Sequence, residues 1–120
     1  MNRTIMTVDD STSMRQMVKA TLQSAGYGVV EAADGQEALD YARENSVDLV
    51  ISDVNMPRMD GITLVHELRS LPTYRLTPLL LLTTESSQDK KLEGKRAGAT
   101  GWIVKPFNPA QLLATLQKLL

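Results

Sequence analysis

The sequence predicts an α/β fold in which a doubly wound, five-stranded parallel sheet is covered by helices on both faces. Five short β-prone runs occur along the chain, and a segment with helical spacing of its apolar residues follows each of them. Strict alternation of strand and helix is typical of a parallel sheet. Two of the runs, VDLVIS and LLLL, are almost continuously apolar, which suits central strands that are buried on both sides.

The predicted strands are Thr4–Val8, Gly28–Ala32, Val47–Ser52, Leu79–Leu82 and Gly101–Val104. The 120 residues are enough for one domain with a hydrophobic core, and no linker, repeat or low-complexity stretch divides them. We therefore expect a single domain over residues 1–120, without a separate output domain.

The first helix has the clearest sequence pattern. Ser11 or Ser13 can cap its start, and Gly26 can end it. Its apolar stripe is predicted to contain Met14, Met17, Val18 and Leu22. Because the opposite face is polar, we expect this helix to pack on the sheet through that stripe.

The later helices differ in how strongly the sequence indicates them. Apolar stripes mark the second, third and fifth: Ala38, Leu39 and Ala42; Ile62, Val65 and Leu68; and Leu112, Leu113 and Leu116. Asn108 and Pro109 are suited to be the cap and the first residue of the fifth helix. The fourth, near Asp89–Ala97, contains Gly94 and several charges: Lys90, Lys91, Lys95 and Arg96. We expect it to be the least stable helix.

Composition excludes several classes of protein. The 13 Lys and Arg residues nearly balance the 14 Asp and Glu residues, so the net charge of -1 disfavours nucleic-acid binding. Absence of cysteine excludes disulfides, thiolate zinc sites and cysteine nucleophiles. The longest apolar run, Leu79–Leu82, is too short to cross a membrane. We therefore expect a soluble, cytoplasmic protein that binds neither nucleic acid nor membrane.

Polar residues follow four of the predicted strands. Asp9 and Asp10 follow the first strand and Asp53 the third, while Thr83 and Thr84 follow the fourth and Lys105 the fifth. In a parallel sheet all these strand ends lie at one edge, where open α/β sheets bind ligands. Three carboxylates and one ammonium sum to -3 + 1 = -2, a charge that a divalent cation would relieve. All-oxygen ligands favour Mg²⁺, or Mn²⁺.

Such a set of groups is suited to phosphoryl transfer onto a carboxylate. Asp53 would be the nucleophile, while the metal and Lys105 would take up charge on the phosphoryl oxygens. The Thr83 hydroxyl would donate a hydrogen bond to one of those oxygens. The sequence therefore predicts Asp53, Thr83 and Lys105 as the residues that carry the chemistry.

Four motifs in this order resemble those of response-regulator receiver domains, among them the stand-alone CheY-like regulators of chemotaxis. They are VDDS at 8–11, SDVNMPRMDG at 52–61, LLTTES at 81–86 and WIVKPF at 102–107. The resemblance covers essentially the whole chain. It implies a flavodoxin-like (βα)5 fold with strand order 2-1-3-4-5, of which CheY-like regulators are known examples.

The resemblance also implies roles for individual residues. Asp9, Asp10 and Asp53 would hold Mg²⁺ together with the backbone carbonyl of Asn55. Asp53 would accept a phosphoryl group from the phosphohistidine of a chemotaxis-type sensor histidine kinase. The switch to the output state would involve Thr83 and Trp102, and the Lys105-Pro106 bond would be cis.

The function implied is that of a phosphorylation switch in a two-component system. The protein would be a monomeric phosphoacceptor with self-catalysed phosphotransfer and slow autodephosphorylation, not a turnover enzyme. Phosphorylation would alter the face formed by the fourth helix, fifth strand and fifth helix. A flagellar motor switch protein or another chemosensory target would bind there, and a phosphatase could act on the modified protein.

Alternative interpretations stay open at this point. The chain could be a phosphate sink in a chemosensory or pilus system, or a phosphatase of the haloacid dehalogenase type, although Asn55 stands where that family needs a second Asp. Asp9 and Asp10 could merely cap the first helix, and Lys105 could be a solvated strand end. Trp102 could simply pack on a helix, and His66 is expected on the surface.

Overall fold

A computed structural model describes residues 3–84 and 87–120, and in this range strands and helices alternate as predicted. The strands are β1 Thr4–Val8, β2 Gly28–Ala32, β3 Leu49–Ser52, β4 Leu79–Thr83 and β5 Gly101–Val104. The helices are α1 Thr12–Ser24, α2 Gly35–Glu44, α3 Gly61–Arg69, α4 Gln88–Ala97 and α5 Pro109–Leu119, and a short 3₁₀ helix spans Pro72–Tyr74. All paired strands are parallel in the order β2-β1-β3-β4-β5, which confirms the predicted order.

Two element boundaries differ from the prediction. Val47 is buried, but the β1–β3 ladder begins only at the pair Ile5 and Leu49, so β3 is shorter at its start. At the other end of the sheet, β4 extends to Thr83, which pairs with Val104 of β5. Side-chain burial alone therefore does not decide where the ladder hydrogen bonds begin or end.

The hydrophobic core has two layers, one on each face of the sheet. On one face α2 and α3 pack on the sheet through Ala38, Leu39, Ala42, Leu64, Val65 and Leu68. On the opposite face α1 and α5 contribute Val18, Leu22, Leu112 and Leu116. β1, β3 and β4 lie between the layers and are buried along almost their whole length, as expected for central parallel strands.

One predicted core residue is wrong. Met17, assigned to the buried stripe of α1, is 56% exposed, whereas Val18 and Leu22 are buried and Met14 is half-buried. The buried stripe follows a spacing of four residues from Met14 through Val18 to Leu22. Since successive residues of a helix are about 100° apart, Met17 points away from that stripe.

The helix ends follow the predicted capping chemistry. Ser11, not Ser13, caps α1 by accepting a hydrogen bond from the Met14 N–H at 3.3 Å. Asn108 caps α5 in the same way, and Pro109 is the first helical residue. Gly26 follows α1 with φ of +93°, in the left-handed region that favours glycine. No helix within residues 3–84 and 87–120 combines the length and the apolar character that a membrane span requires.

The edge strands of the sheet are β2 and β5. On β2 the Glu31 carboxylate accepts hydrogen bonds from Lys19 at 3.1 Å, from Gln16 at 3.0 Å and from Arg15 at 3.4 Å, all on α1. The Lys19 hydrogen bond, as the largest cause, and the Arg15 contact lower the pKa of Glu31. β5 carries no charged residue between Gly101 and Val104, and the Val104 side chain is largely exposed.

Candidate functional site

The carboxyl ends of β1 and β3 bring three acidic side chains together. Asp9, Asp10 and Asp53 each offer one carboxylate oxygen, and these oxygens all lie within 4.8 Å of one another. Asp9 and Asp53 are buried, while Asp10 is exposed. The sequence prediction that these residues converge at one edge of the sheet is therefore confirmed.

Asp9 is held firmly by its neighbours. Its Oδ1 accepts a hydrogen bond from the Ser11 N–H at 2.9 Å, and its Oδ2 accepts one from the Lys105 ammonium at 3.1 Å. The Arg15 guanidinium donates to the Asp9 backbone carbonyl at 2.6 Å. Asp9 thus has both carboxylate oxygens and its carbonyl engaged, so its position is fixed before any ligand binds.

Asp53 directly follows β3. Its Oδ1 accepts a hydrogen bond from the Val54 N–H at 2.8 Å, and its Oδ2 lies 3.6 Å from the Lys105 Nζ atom. Behind it, Gly61 of α3 packs so closely that a Cβ atom there would lie 2.0 Å from the Asp53 carbonyl oxygen. The start of α3 therefore sets the position of the Asp53 backbone, and only glycine fits at this contact.

Lys105 lies between the two buried carboxylates. Its side chain is 12% exposed, and its backbone N–H donates to the Thr83 carbonyl at 2.7 Å, which continues the β4–β5 pairing. The bond from Lys105 to Pro106 is cis, as the sequence resemblance implies. The alternative that Lys105 is a solvated strand end is therefore wrong.

The negative charges of the site exceed its positive charge. Burial raises the pKa of the Asp53 carboxyl, the Lys105 ammonium opposes this, and the Asp9 charge adds to it. The N–H groups of Val54 and Asn55 also lower the Asp53 pKa. Three carboxylates with one ammonium form an all-oxygen donor set with excess negative charge, which fits a hard divalent cation such as Mg²⁺.

The remaining predicted residues occupy different surroundings. Thr83, at the end of β4, is fully buried, and Asn55 is exposed in the loop after Asp53. Trp102 is half-buried on β5 and packs against the hydrophobic core, as the structural alternative expects, and its switch role stays a prediction. His66 is exposed on α3, as expected, and its Nδ1 lies 3.5 Å from Glu67.

Three features of the site were not predicted from the sequence. They are the Arg15 contact to Asp9, the close approach of Gly61 to Asp53, and an ion pair between Arg58 and Asp34. The last pair joins the loop after β3 to the N-terminus of α2, where Asp34 is the cap. The sequence did carry one signal: Gly61 ends the SDVNMPRMDG motif, where a glycine indicates close backbone packing.

Known proteins resemble this chain over its whole length. The model of the response regulator receiver domain family matches residues 5–117. The structure of the Vibrio cholerae chemotaxis protein CheY4 superposes with a TM-score of 0.95 and 56% sequence identity, and covers 100% of both chains. These matches favour a receiver domain over the phosphatase alternative.

Two further relatives show the breadth of the resemblance. The transcriptional regulatory protein SrrA of Staphylococcus aureus is 34% identical over 120 residues, which are 100% of this chain and 48% of SrrA. The chain thus spans about half the length of the curated relatives it matches. The receiver domain of the Pseudomonas aeruginosa sensor histidine kinase PA1611 was solved with magnesium in its active-site cleft. It superposes on this chain with a TM-score of 0.92 and 29% sequence identity, and the match covers 99% of this chain and 98% of that chain.

Receiver domains are phosphoacceptor switches of two-component systems. Histidine kinases phosphorylate them, they bind Mg²⁺ at an acidic cluster, and they interact with downstream targets. With the family match over residues 5–117, the five-stranded fold in the order 2-1-3-4-5 and the acidic cluster at its edge, this chain belongs to the response regulator receiver domain family.

Proposed function

We propose that the protein is a response regulator that accepts a phosphoryl group on Asp53 in a Mg²⁺-dependent reaction. The observation that carries this proposal is the arrangement of three carboxylates within 4.8 Å, with the Lys105 ammonium between Asp9 and Asp53. It supplies a nucleophile, a fixed positive charge and oxygen ligands for a cation in one place.

The transfer itself needs little from the protein beyond positioning. An Asp53 carboxylate oxygen attacks the phosphorus of a phosphohistidine on the sensor kinase; the new O–P bond forms as the P–N bond breaks, and that electron pair returns to the imidazole. Lys105 stabilises the charge on the phosphoryl oxygens, and the Thr83 hydroxyl donates to one of them. Slow hydrolysis of the resulting acyl phosphate by water resets the switch.

Asp9, Asp10, Asp53 and the backbone carbonyl of Asn55 are the proposed ligands of the cation. When bound, Mg²⁺ would neutralise part of the negative charge on the carboxylates and on the phosphoryl group. The magnesium in the PA1611 receiver domain supports this choice of ion. The same donor set would also accept Mn²⁺.

The output is proposed to leave through α4, β5 and α5. A groove of about 340 Å³ opens there between α4 and the start of β5, and it is lined by Lys91, Lys95, Ala99, Thr100, Gly101 and Trp102. Phosphorylation of Asp53 would shift the protein toward a conformation that a downstream protein binds. We propose Thr83 and Trp102 as the residues that link the site to this face.

The biological setting is proposed from the relatives. The CheY4 resemblance at 56% identity favours chemotaxis, with a chemotaxis-type kinase and a flagellar motor switch protein or other chemosensory output as partners. A phosphate-sink role, a pilus system and an additional phosphatase partner are compatible with the same site. We further propose that the protein acts as a cytoplasmic monomer.

Labelling with acetyl phosphate tests the acceptor. With Mg²⁺, intact mass spectrometry should show one phosphoryl group that alkali removes. Asp53→Asn should abolish it, because the amide cannot serve as the nucleophile. As a control, His66→Gln should leave the label unchanged, since His66 is exposed on α3. Label that persists in Asp53→Asn would refute the assignment, and continuous phosphate release at a constant rate would favour a phosphatase.

Thermal unfolding with increasing Mg²⁺ tests the cation ligands. The ion should raise the unfolding midpoint, because it binds the folded chain preferentially. Asp10→Asn should reduce or abolish the shift and slow phosphorylation. Asp40→Asn, the same substitution at an exposed residue of α2, should keep the full shift. Equal Mg²⁺ responses in the two variants would contradict the proposed ligand set.

A further inference from the structure

Helix α4 contacts the rest of the domain in an unusual way. Among its ten residues, all of them within the described part of the chain, only Gly94 is buried. Leu92, its large apolar residue, is 46% exposed. The other helices each bury two or more residues, mostly with apolar side chains. The one buried residue of α4 therefore has no side chain, while Ala97 is partly buried against the core.

The space at Gly94 is taken up by its neighbours. A Cβ atom built at Gly94 would lie 3.0 Å from Leu81 Cδ1, 3.2 Å from Trp102 Cζ3 and 3.4 Å from Trp102 Cε3. Both indole atoms belong to the six-membered ring of tryptophan. Leu81 and Trp102 are also direct partners in the β4–β5 ladder. The indole therefore packs against the α4 backbone at the one place where a side chain is missing.

We infer that Gly94 is a positioning residue for Trp102, and that it couples the indole to α4 so that ring and helix change position together. The coupling to phosphorylation rests on the proposed function. Two residues beyond Leu81 and Trp102, the strands reach Thr83 and Val104, which are paired, and Lys105 follows directly. A change at Thr83 or Lys105 is thus transmitted along the paired strands to the ring and from there to α4.

The same contact accounts for a sequence feature that opposes the usual preference. Glycine in the middle of a helix is unfavourable, yet Gly94 stands in α4 beside the large indole ring of Trp102. With a side chain at residue 94, the ring would meet α4 at less than ordinary contact distance. Gly94 makes room for Trp102, and the cost is a helix with little burial of its own.

A thermal double-mutant cycle tests the positioning role. Gly94→Ala improves helix propensity, so on that basis alone it should raise the unfolding midpoint by about 3 °C. With Trp102 present, we expect no rise, or a fall, because the new methyl group crowds the ring. In a Trp102→Tyr background, the rise should appear. Arg96→Ala, at an exposed residue of the same helix, should have the same small effect in both backgrounds.

Activator binding tests the coupling to the site. Gly94→Ala strains the unmodified arrangement, so an activated arrangement in which the indole no longer crowds residue 94 becomes relatively more favourable. By linkage, beryllofluoride with Mg²⁺ should bind about fivefold more tightly. Indole emission should already be shifted in the free variant, and its further change on activation should be smaller than in the parent protein. In the Trp102→Tyr background, Gly94→Ala should leave beryllofluoride affinity unchanged.

The outcomes separate this inference from the proposed function. If Gly94→Ala raises the midpoint equally in both backgrounds, the positioning role is wrong. If the cycle is non-additive but the affinity for beryllofluoride is unchanged in Gly94→Ala, the coupling to the site is wrong while the packing stands. If neither beryllofluoride nor acetyl phosphate acts on the parent protein, the proposed function fails, and the thermal cycle still decides the packing.

Discussion

Helices α3 and α4 follow neighbouring strands and pack side by side, yet they are held in different ways. α3 buries Gly61, Leu64, Val65 and Leu68, and Asp60 caps its start through the Thr63 N–H at 2.7 Å. At its end Arg69 donates hydrogen bonds to the carbonyl groups of Tyr74, Thr77 and Gly98. α4 has a cap at Ser87 but buries only Gly94.

This difference separates the candidate site into a fixed part and a weakly held part. The fixed part contains Asp53, whose backbone is in contact with the first residue of α3. The weakly held part is α4, next to the proposed output face. Elements that bury little apolar area open at low free-energy cost, so the residues proposed to react stand on the firmly packed part, while the helix proposed to signal is more easily displaced.

The largest expected effect comes from comparing the removal of one leucine side chain from each of the two helices. Leu64→Ala in α3 deletes a fully buried side chain and should lower the free energy of unfolding by about 3 kcal/mol. Leu92→Ala in α4 should change it by less than about 1 kcal/mol, because that residue is already 46% exposed. Urea unfolding of both variants measures the contrast. Equal losses would show that α4 is held as firmly as α3.

A smaller effect is expected from glycine substitutions at the two helices. In Gly61→Ala the new Cβ would meet the backbone oxygen of Asp53, which no rotamer change can relieve. We expect a loss of about 2 kcal/mol, together with slower labelling by acetyl phosphate because Asp53 is displaced. Gly94→Ala meets only side-chain atoms and should lose less stability. Normal labelling of Gly61→Ala would contradict the proposed support of Asp53 by α3.

The smallest effect concerns the ion pair between Arg58 and Asp34, which joins the loop after β3 to the start of α2. The Glu37 N–H and then Arg58 lower the pKa of Asp34 below its usual value of 3.8. Ionised Asp34 therefore stabilises the fold above that pH, and the contribution disappears as the pH falls through the lower folded-state pKa. Asp34→Asn, which can still cap α2, should cost less than about 1 kcal/mol at neutral pH.

Unfolding measured from pH 7 to pH 2 checks this dependence. The difference between the parent protein and Asp34→Asn should shrink toward zero in acid, where both side chains are uncharged. Asp40→Asn at an exposed position of α2 is the matched control and should show little difference at any pH. A difference that grows in acid would mean that the sign of the Asp34 pKa shift is wrong.

Arg58, the partner of Asp34, has φ of +67°, so the ion pair also holds a residue with a strained backbone conformation.

The sequence was sufficient to predict the α/β class and the convergence of the acidic residues because both depend on short-range patterns, whereas the strand order was implied by the family resemblance. Strand–helix alternation determines a parallel sheet, and a parallel sheet places Asp9, Asp53 and Lys105 at one edge wherever they stand in the chain. The buried helical stripes were equally visible, apart from Met17. Met17 was assigned wrongly because the predicted stripe was one residue wider than the narrow buried face of α1.

Contacts made by long side chains could not be predicted in this way. Arg15 reaches the Asp9 carbonyl and Arg58 reaches Asp34 through long side chains, whose direction depends on the tertiary structure. The 3₁₀ helix at Pro72–Tyr74 was also missed, because three residues are too few to show a periodicity. The sequence predicted the weakness of α4 from Gly94, but only the packed structure shows Trp102 in the space that the glycine leaves.

The two edges of the sheet have different consequences for self-association. An edge strand exposes unpaired backbone groups on which another chain can add a strand, and charged side chains oppose this addition. β2 carries Glu31 with its cationic neighbours on α1, whereas β5 is uncharged and displays Val104. In concentrated solution we expect aggregation to begin at β5, and we expect Val104→Lys to raise the concentration at which light scattering appears. Because β5 lies beside α4, the side of the molecule proposed for output is also the side where we expect self-association to begin.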